Sequence, residues 1–251
     1  MTEHLDVLQA SVARLRRTVE SLDSVQLEMQ AYPAQWTIAE VLSHLGSGAV
    51  IFRRRVEDAV GGTQTPGDFA QGVWDAWNAK SPQAKAADAL VADRSLVERL
   101  VATTDDERSG FALNMGPLTF GFDEFIGMRI NEHTLHSWDV EVALDPAATL
   151  APDATEVVVD NLALTARYTA KPTGTEREVT VLTSSPRRGF RVTLGAESVS
   201  FEGADPVASP DLEIPAEGLI RLVYGRLDPG HTPPTGGKAD LDELRKAFPG
   251  P

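Results

Sequence analysis

Apolar residues open the chain at Leu5, Leu8, Val12, Leu15, Val19 and Leu22, alternating steps of three and four. On an α-helix that spacing winds into one narrow stripe and predicts the seam of a helix bundle. The next helix start is marked twice: Thr37-Ile38-Ala39-Glu40 has the form of a capping box, and Trp36 before it is placed to staple against Val41. This second helix is predicted from Ile38 to about Val60, ended by Gly61-Gly62. From there to Lys80, Pro66, Gly67 and Gly72 predict a long loop that carries Trp74 and Trp77. Ser81-Pro82 sets an N-cap before a proline at the first helical position and opens a third helix, to about Val101 through Leu90, Val97 and Leu100. A fourth runs from about Phe122 to Leu144 and stops at Asp145-Pro146.

The pattern changes near residue 148. Pro146 and Pro152 bracket a boundary, and one helix is predicted from about Ala154 to Tyr168. Period-two alternation then marks strands over 178–183, 189–194 and 198–201, with a further strand over 211–214. A helix beginning at Pro215-Ala216 and ending near Tyr224-Gly225, and another over about Leu241 to Phe248, complete the chain. The expected fold class is α plus α+β: a four-helix bundle over residues 1–148, then a small α+β domain over 149–251.

Composition narrows the function. The chain has 251 residues, 42% hydrophobic, enough for one or two packed cores. Asp and Glu number 37 against 23 Lys and Arg, a formal charge of −14, which argues against nucleic acid and anionic membranes as partners. Cysteine is absent, so a protein thiolate nucleophile, a disulfide scaffold or a zinc ribbon is excluded, and any metal must be held by His, Asp or Glu. The Met1-Thr2-Glu3-His4-Leu5 start lacks a basic region followed by an apolar one, and no uncharged apolar run approaches the ~20 residues that span a bilayer. The expected location is cytoplasmic.

Candidate chemistry lies on the second and fourth helices. Glu132 and His136 are four apart and share a face, with Phe125, Met128 and Leu135 within about 60° of Glu132, which predicts that the pair points inward. His133 falls about 100° away and is not expected to join them. Asp139, three past His136, is placed to accept a hydrogen bond from an imidazole. His44 occupies a flank of the second helix, and Gly48 one turn later is expected to leave room beside its ring. If the two helices are neighbours, His44, Glu132 and His136 converge as two imidazoles and a carboxylate, a set that suits zinc or another divalent first-row metal. The bland alternative is a helical Glu–His ion pair. Trp74 and Trp77 either line a pocket or pack over a bundle end, Arg53-Arg54-Arg55 is expected to be a solvated helix face, and His4 and His231 are assigned no role.

Trp36-Thr37-Ile38-Ala39-Glu40-Val41-Leu42-Ser43-His44-Leu45 resembles the opening of the second helix in the mycothiol-dependent maleylpyruvate isomerase family, a branch of the DinB-like metal-binding bundles. Asn131-Glu132-His133-Thr134-Leu135-His136-Ser137-Trp138-Asp139-Val140 is similar to that family's E-x-x-x-H segment, and Leu219-Ile220-Arg221-Leu222-Val223-Tyr224-Gly225-Arg226 to a helix of its sterol-carrier-like C-terminal domain. The resemblance implies zinc on His44, Glu132 and His136, mycothiol as a thiol cosubstrate, a small electrophilic substrate, and a transferase or isomerase activity. It makes Arg226 the candidate catalytic cation, the alternative being an exposed or salt-bridged arginine at a helix end, while the helical wheel, which sets Arg129 about 60° from Glu132, makes that residue a lesser candidate or simply the neutraliser of a carboxylate. Two other classes remain open: a binding or regulatory protein whose metal only staples the helices, and a lipid carrier, for which the short, charged strands after residue 150 advertise no long apolar cavity.

Overall fold

The computed structural model describes residues 3–116 and 118–250; Met1 and Thr2, part of the start read for a leader, lie outside the described residues. It divides into two units, Met1–Ala148 and Thr149–Pro251. The first contains, in order, α1 (Glu3–Glu20), α2 (Ser24–Leu27), α3 (Ile38–Gly61), α4 (Phe69–Asn78), α5 (Pro82–Val101), α6 (Asp105–Ser109), β1 (Leu113–Met115), β2 (Leu118–Phe120) and α7 (Phe122–Leu144). The four long helices close a ring, with α3 against α5 and α7, and α1 against α7 and α5. On α1 the stripe from Leu5 to Val19 is buried, while Leu22 lies beyond the last helical residue and still packs on the core. The start of α3 is locked reciprocally: the Glu40 N–H donates to Thr37 Oγ1 (3.3 Å) and the Thr37 N–H to Glu40 Oε2 (2.6 Å). Gly62 ends it at φ 62°, a left-handed conformation that glycine adopts without steric cost.

The stretch expected as a long loop before Lys80 contains α4. Its Pro and Gly residues punctuate the sequence, but burial of Trp77 overrides them: the indole wedges between α3 and α5, where a Cβ on Gly46 would collide with it and with the Ala89 backbone. Gly46→Ala therefore overpacks this contact and is expected to cost about 1–3 kcal/mol, read as a lowered thermal midpoint; an unchanged midpoint would show that the wedge does not hold α4.

The second unit contains α8 (Pro152–Asp160), α9 (Leu162–Thr169), β3 (Arg177–Ser184), β4 (Gly189–Leu194), β5 (Val199–Ala204), β6 (Leu212–Pro215), α10 (Ala216–Val223), β7 (Gly236–Gly237) and α11 (Leu241–Ala247). One sheet runs β5-β4-β3-β6-β7, with β3 and β6 parallel and the other pairs antiparallel. Phe190, Val192 and Leu194 are buried along β4 while Arg191 and Thr193 face out, the alternation that marked the strand. The single helix expected over 154–168 is two, broken at Asn161, a residue whose side chain competes with helical backbone bonding. No helix among the described residues is long and apolar enough to cross a membrane.

Candidate metal centre

Packing of α3 on α7 brings His44 to Glu132 and His136, and one ligand atom of each lies within 4.8 Å of the others. His44 Nε2 is 3.0 Å from Glu132 Oε2, His136 Nε2 is 3.7 Å from the same oxygen, and the imidazole centroids stand 4.4 Å apart, edge to face. The expectation that Glu132 points inward needs correcting. Its side chain is 44% exposed and that of His44 37%, against 11% for His136. A helical wheel gives a side chain's direction but not the height of the wall it meets; Glu132 points along the flank of α3, at the mouth of the group.

Partial desolvation pushes the Glu132 carboxyl up, but the hydrogen bond from His44 and the charges of His136, His44 and Arg129 outweigh it and hold it at about 2, below its ordinary 4.5. Ionised Glu132 thus stabilises the metal-free fold above the unfolded-state value, and that contribution fades as pH falls from 4.5 toward about 2. In chelator-treated protein, Glu132→Gln is expected to melt below wild type near neutral pH, and the gap between the two midpoints should narrow below pH 4.5 and close only as the pH reaches about 2. A gap that persists in acid would contradict this assignment.

The neighbours fix the imidazoles. His136 Nδ1 donates to Asp139 Oδ2 at 2.8 Å, and Asp139 is fully buried, so Nδ1 is engaged away from the group and Nε2 is the nitrogen that faces it. Trp36 does more than staple a helix end: its ring stacks 5.2 Å from His44 and 5.8 Å from His136. Sequence reasoning missed this role, although a residue just before the N-cap folds back over the first turns of its helix. Gly48 does not make room for the imidazole, as its place one turn after His44 suggested. A Cβ there would stand 3.0 Å from Arg129 Nη1, so the missing side chain accommodates a guanidinium.

That guanidinium anchors a buried network behind the group. Arg129 Nη2 donates to the Leu45 carbonyl (2.8 Å) and to Asp93 Oδ1 (2.7 Å); Asp93 Oδ2 faces His133 Nε2 (3.3 Å), and His133 Nδ1 meets Ser11 Oγ (2.8 Å) and Ser137 Oγ (3.3 Å). All four long helices are thereby tied together. Burial pushes the Asp93 carboxyl up, but the charges of His133 and Arg129 outweigh it and hold it below the usual range. The carboxylate that Arg129 pairs with is Asp93, which the sequence reading did not single out. A signal existed: Asp93 falls on the buried stripe Ala86, Ala89, Leu96 and Leu100 of α5, where an acid needs a partner. Arg226 lies in the second unit, buried, with Nη1 donating to the Tyr224 carbonyl (3.0 Å) beyond a left-handed Gly225 (φ 68°).

Two imidazoles and an ionised carboxylate, one imidazole held by a buried aspartate, form a donor set that fits zinc or another divalent first-row cation. No fourth His, Asp or Glu joins the group among the described residues. The family model described as the mycothiol maleylpyruvate isomerase N-terminal domain matches residues 8–141, more than half of the chain, including His44, Glu132 and His136. Crystal structures of the mycothiol-dependent maleylpyruvate isomerase and of its histidine-to-alanine mutant each align over 89% of this chain and 88% of their own, with TM-score 0.65 and 17% identity. No curated protein sequence matches. By the match over α3 and α7, the chain belongs to the mycothiol maleylpyruvate isomerase N-terminal domain family.

Proposed function

We propose that the protein is a mycothiol-dependent metalloenzyme, an S-transferase or a maleylpyruvate-type isomerase, with His44, Glu132 and His136 holding zinc or a similar divalent metal. The observation that carries the reading is a three-donor group, accessible to solvent, in a chain with no cysteine of its own. A divalent cation bound there supplies the acidity that deprotonates a coordinating thiol, making a nucleophile at neutral pH. The chain's own residues prepare that event. Asp139 keeps the His136 proton on Nδ1, Glu132 contributes the negative charge that offsets a dication, and Trp36 shields one side of both imidazoles from water.

In the isomerase reading, thiol sulfur adds to a cis carbon–carbon double bond conjugated with a carbonyl, the resulting single bond rotates, and elimination yields the trans product and releases the thiol. In the transferase reading, sulfur displaces a leaving group or opens an epoxide and remains bonded to carbon. Negative charge develops on oxygen when the thiol adds beside a carbonyl or opens an epoxide, and Arg226 is the proposed cation for it, on the strength of its place in the Gly225-Arg226 pattern. Arg226→Ala is expected to lower turnover about 10²-fold or more with metal content unchanged; unaltered kinetics would remove Arg226 from the site. The group's three donors favour catalysis over a metal staple, which would require a closing fourth ligand. We place the enzyme in the cytoplasm, acting on small molecules. The test is elemental analysis of the purified protein, then a screen of electrophiles with and without mycothiol: the proposal expects bound metal and turnover that needs the thiol, and a metal-loaded protein with no thiol-dependent turnover would favour the staple.

A further inference from the structure

Helix arithmetic at about 100° per residue puts Arg53 about 180° round α3 from His44. On that far flank a groove of about 490 Å³ opens among α3, α4 and α5. Its accessible apolar lining is Val50, Phe69, Val91 and Ala92 beside the nearly buried Trp77, and Val91 is 60% exposed. Arg53, Arg54 and Lys80 line it against Glu57 and Asp88, a positive balance in a chain of net charge −14. Two of the residues expected to be a plain solvated face therefore flank the buried tryptophan that closes the groove's floor.

These cations are not equally occupied. Lys80 Nζ pairs with Asp88 at 2.8 Å and lies 3.7 Å from the Trp77 ring centroid, and Arg54 pairs with Asp58 at 3.1 Å. Arg53 donates one N–H to Ser95 Oγ at 2.6 Å and stands 3.9 Å from Glu57, a carboxylate that Arg99 engages more closely at 3.1 Å. Half-exposed and weakly paired, its guanidinium keeps N–H donors for an incoming anion beside an apolar floor.

The geometry points to a second binding site on this bundle, for a small monoanion with an apolar ring system: the ring on the Val50, Val91 and Ala92 surface, its carboxylate on Arg53. The volume falls within the ~300–1,000 Å³ of small-molecule sites. None of the residues that line it belongs to the metal group, so occupancy here does not require a bound metal.

Naphthalene-2-carboxylate, with naphthalen-2-ylmethanol as its uncharged counterpart, tests the site by calorimetry on the full chain in chelator. Saturable binding of the carboxylate, at least about tenfold tighter than the alcohol, is expected, and Arg53→Met should abolish that preference. His44→Ala should leave carboxylate affinity unchanged. Absent saturation, equal affinity for the two probes, an unaffected Arg53→Met variant, or loss of binding in His44→Ala would each overturn the proposal, the last by placing the probe at the metal group.

Discussion

His136→Ala is expected to strip the metal and abolish thiol-dependent turnover, and His44→Ala to do the same. The group offers three donors from two helices, and either change leaves a pair that cannot surround a cation. Loss of a Lewis acid removes several kcal/mol of stabilisation, so turnover should fall about 10³-fold or more. A graded control accompanies it. Asp139→Asn keeps every donor but removes the charged acceptor that holds His136 Nδ1, and is expected to weaken metal affinity by about 10–100-fold. Metal content after dialysis and turnover with mycothiol check both; full activity in a metal-free His136→Ala protein would exclude the catalytic reading.

Asp93→Leu carries the largest expected effect on stability. The substitution leaves the Arg129 guanidinium buried among four helices without its carboxylate, a loss of about 3–5 kcal/mol. At ~2–4 °C per kcal/mol for a chain of this size, the midpoint of the first unit should fall by about 6–20 °C. Removing both charges in Asp93→Leu/Arg129→Met should recover much of this, because apolar groups of similar volume need no partner. Thermal melts of the single and double variants decide it: a double variant less stable than Asp93→Leu alone would mean that the network does more than neutralise its own charges.

The sequence showed most where local rules act alone. Thr37 with Glu40 marked the start of α3, Ser81-Pro82 that of α5, and alternation at Phe190, Val192 and Leu194 marked β4. Where a distant partner decides, local rules were silent. Trp77 forms α4 through Gly46 on another helix, Gly48 serves Arg129 across the bundle, and Trp36 lies over imidazoles from two helices. The convergence of His44 with Glu132 and His136 was legible as a condition, that two helices be neighbours, and the resemblance named the same residues. The exposure of Glu132 was not, since it depends on the height of α3 beside it.

Cobalt-substituted protein titrated with mycothiol tests the central claim most directly. A near-ultraviolet thiolate-to-cobalt absorption band is expected to grow and saturate at about one thiol per metal, and to be missing in His136→Ala. A wild-type protein that binds cobalt yet shows no such band would mean that sulfur does not meet the metal, and the proposed chemistry would not stand.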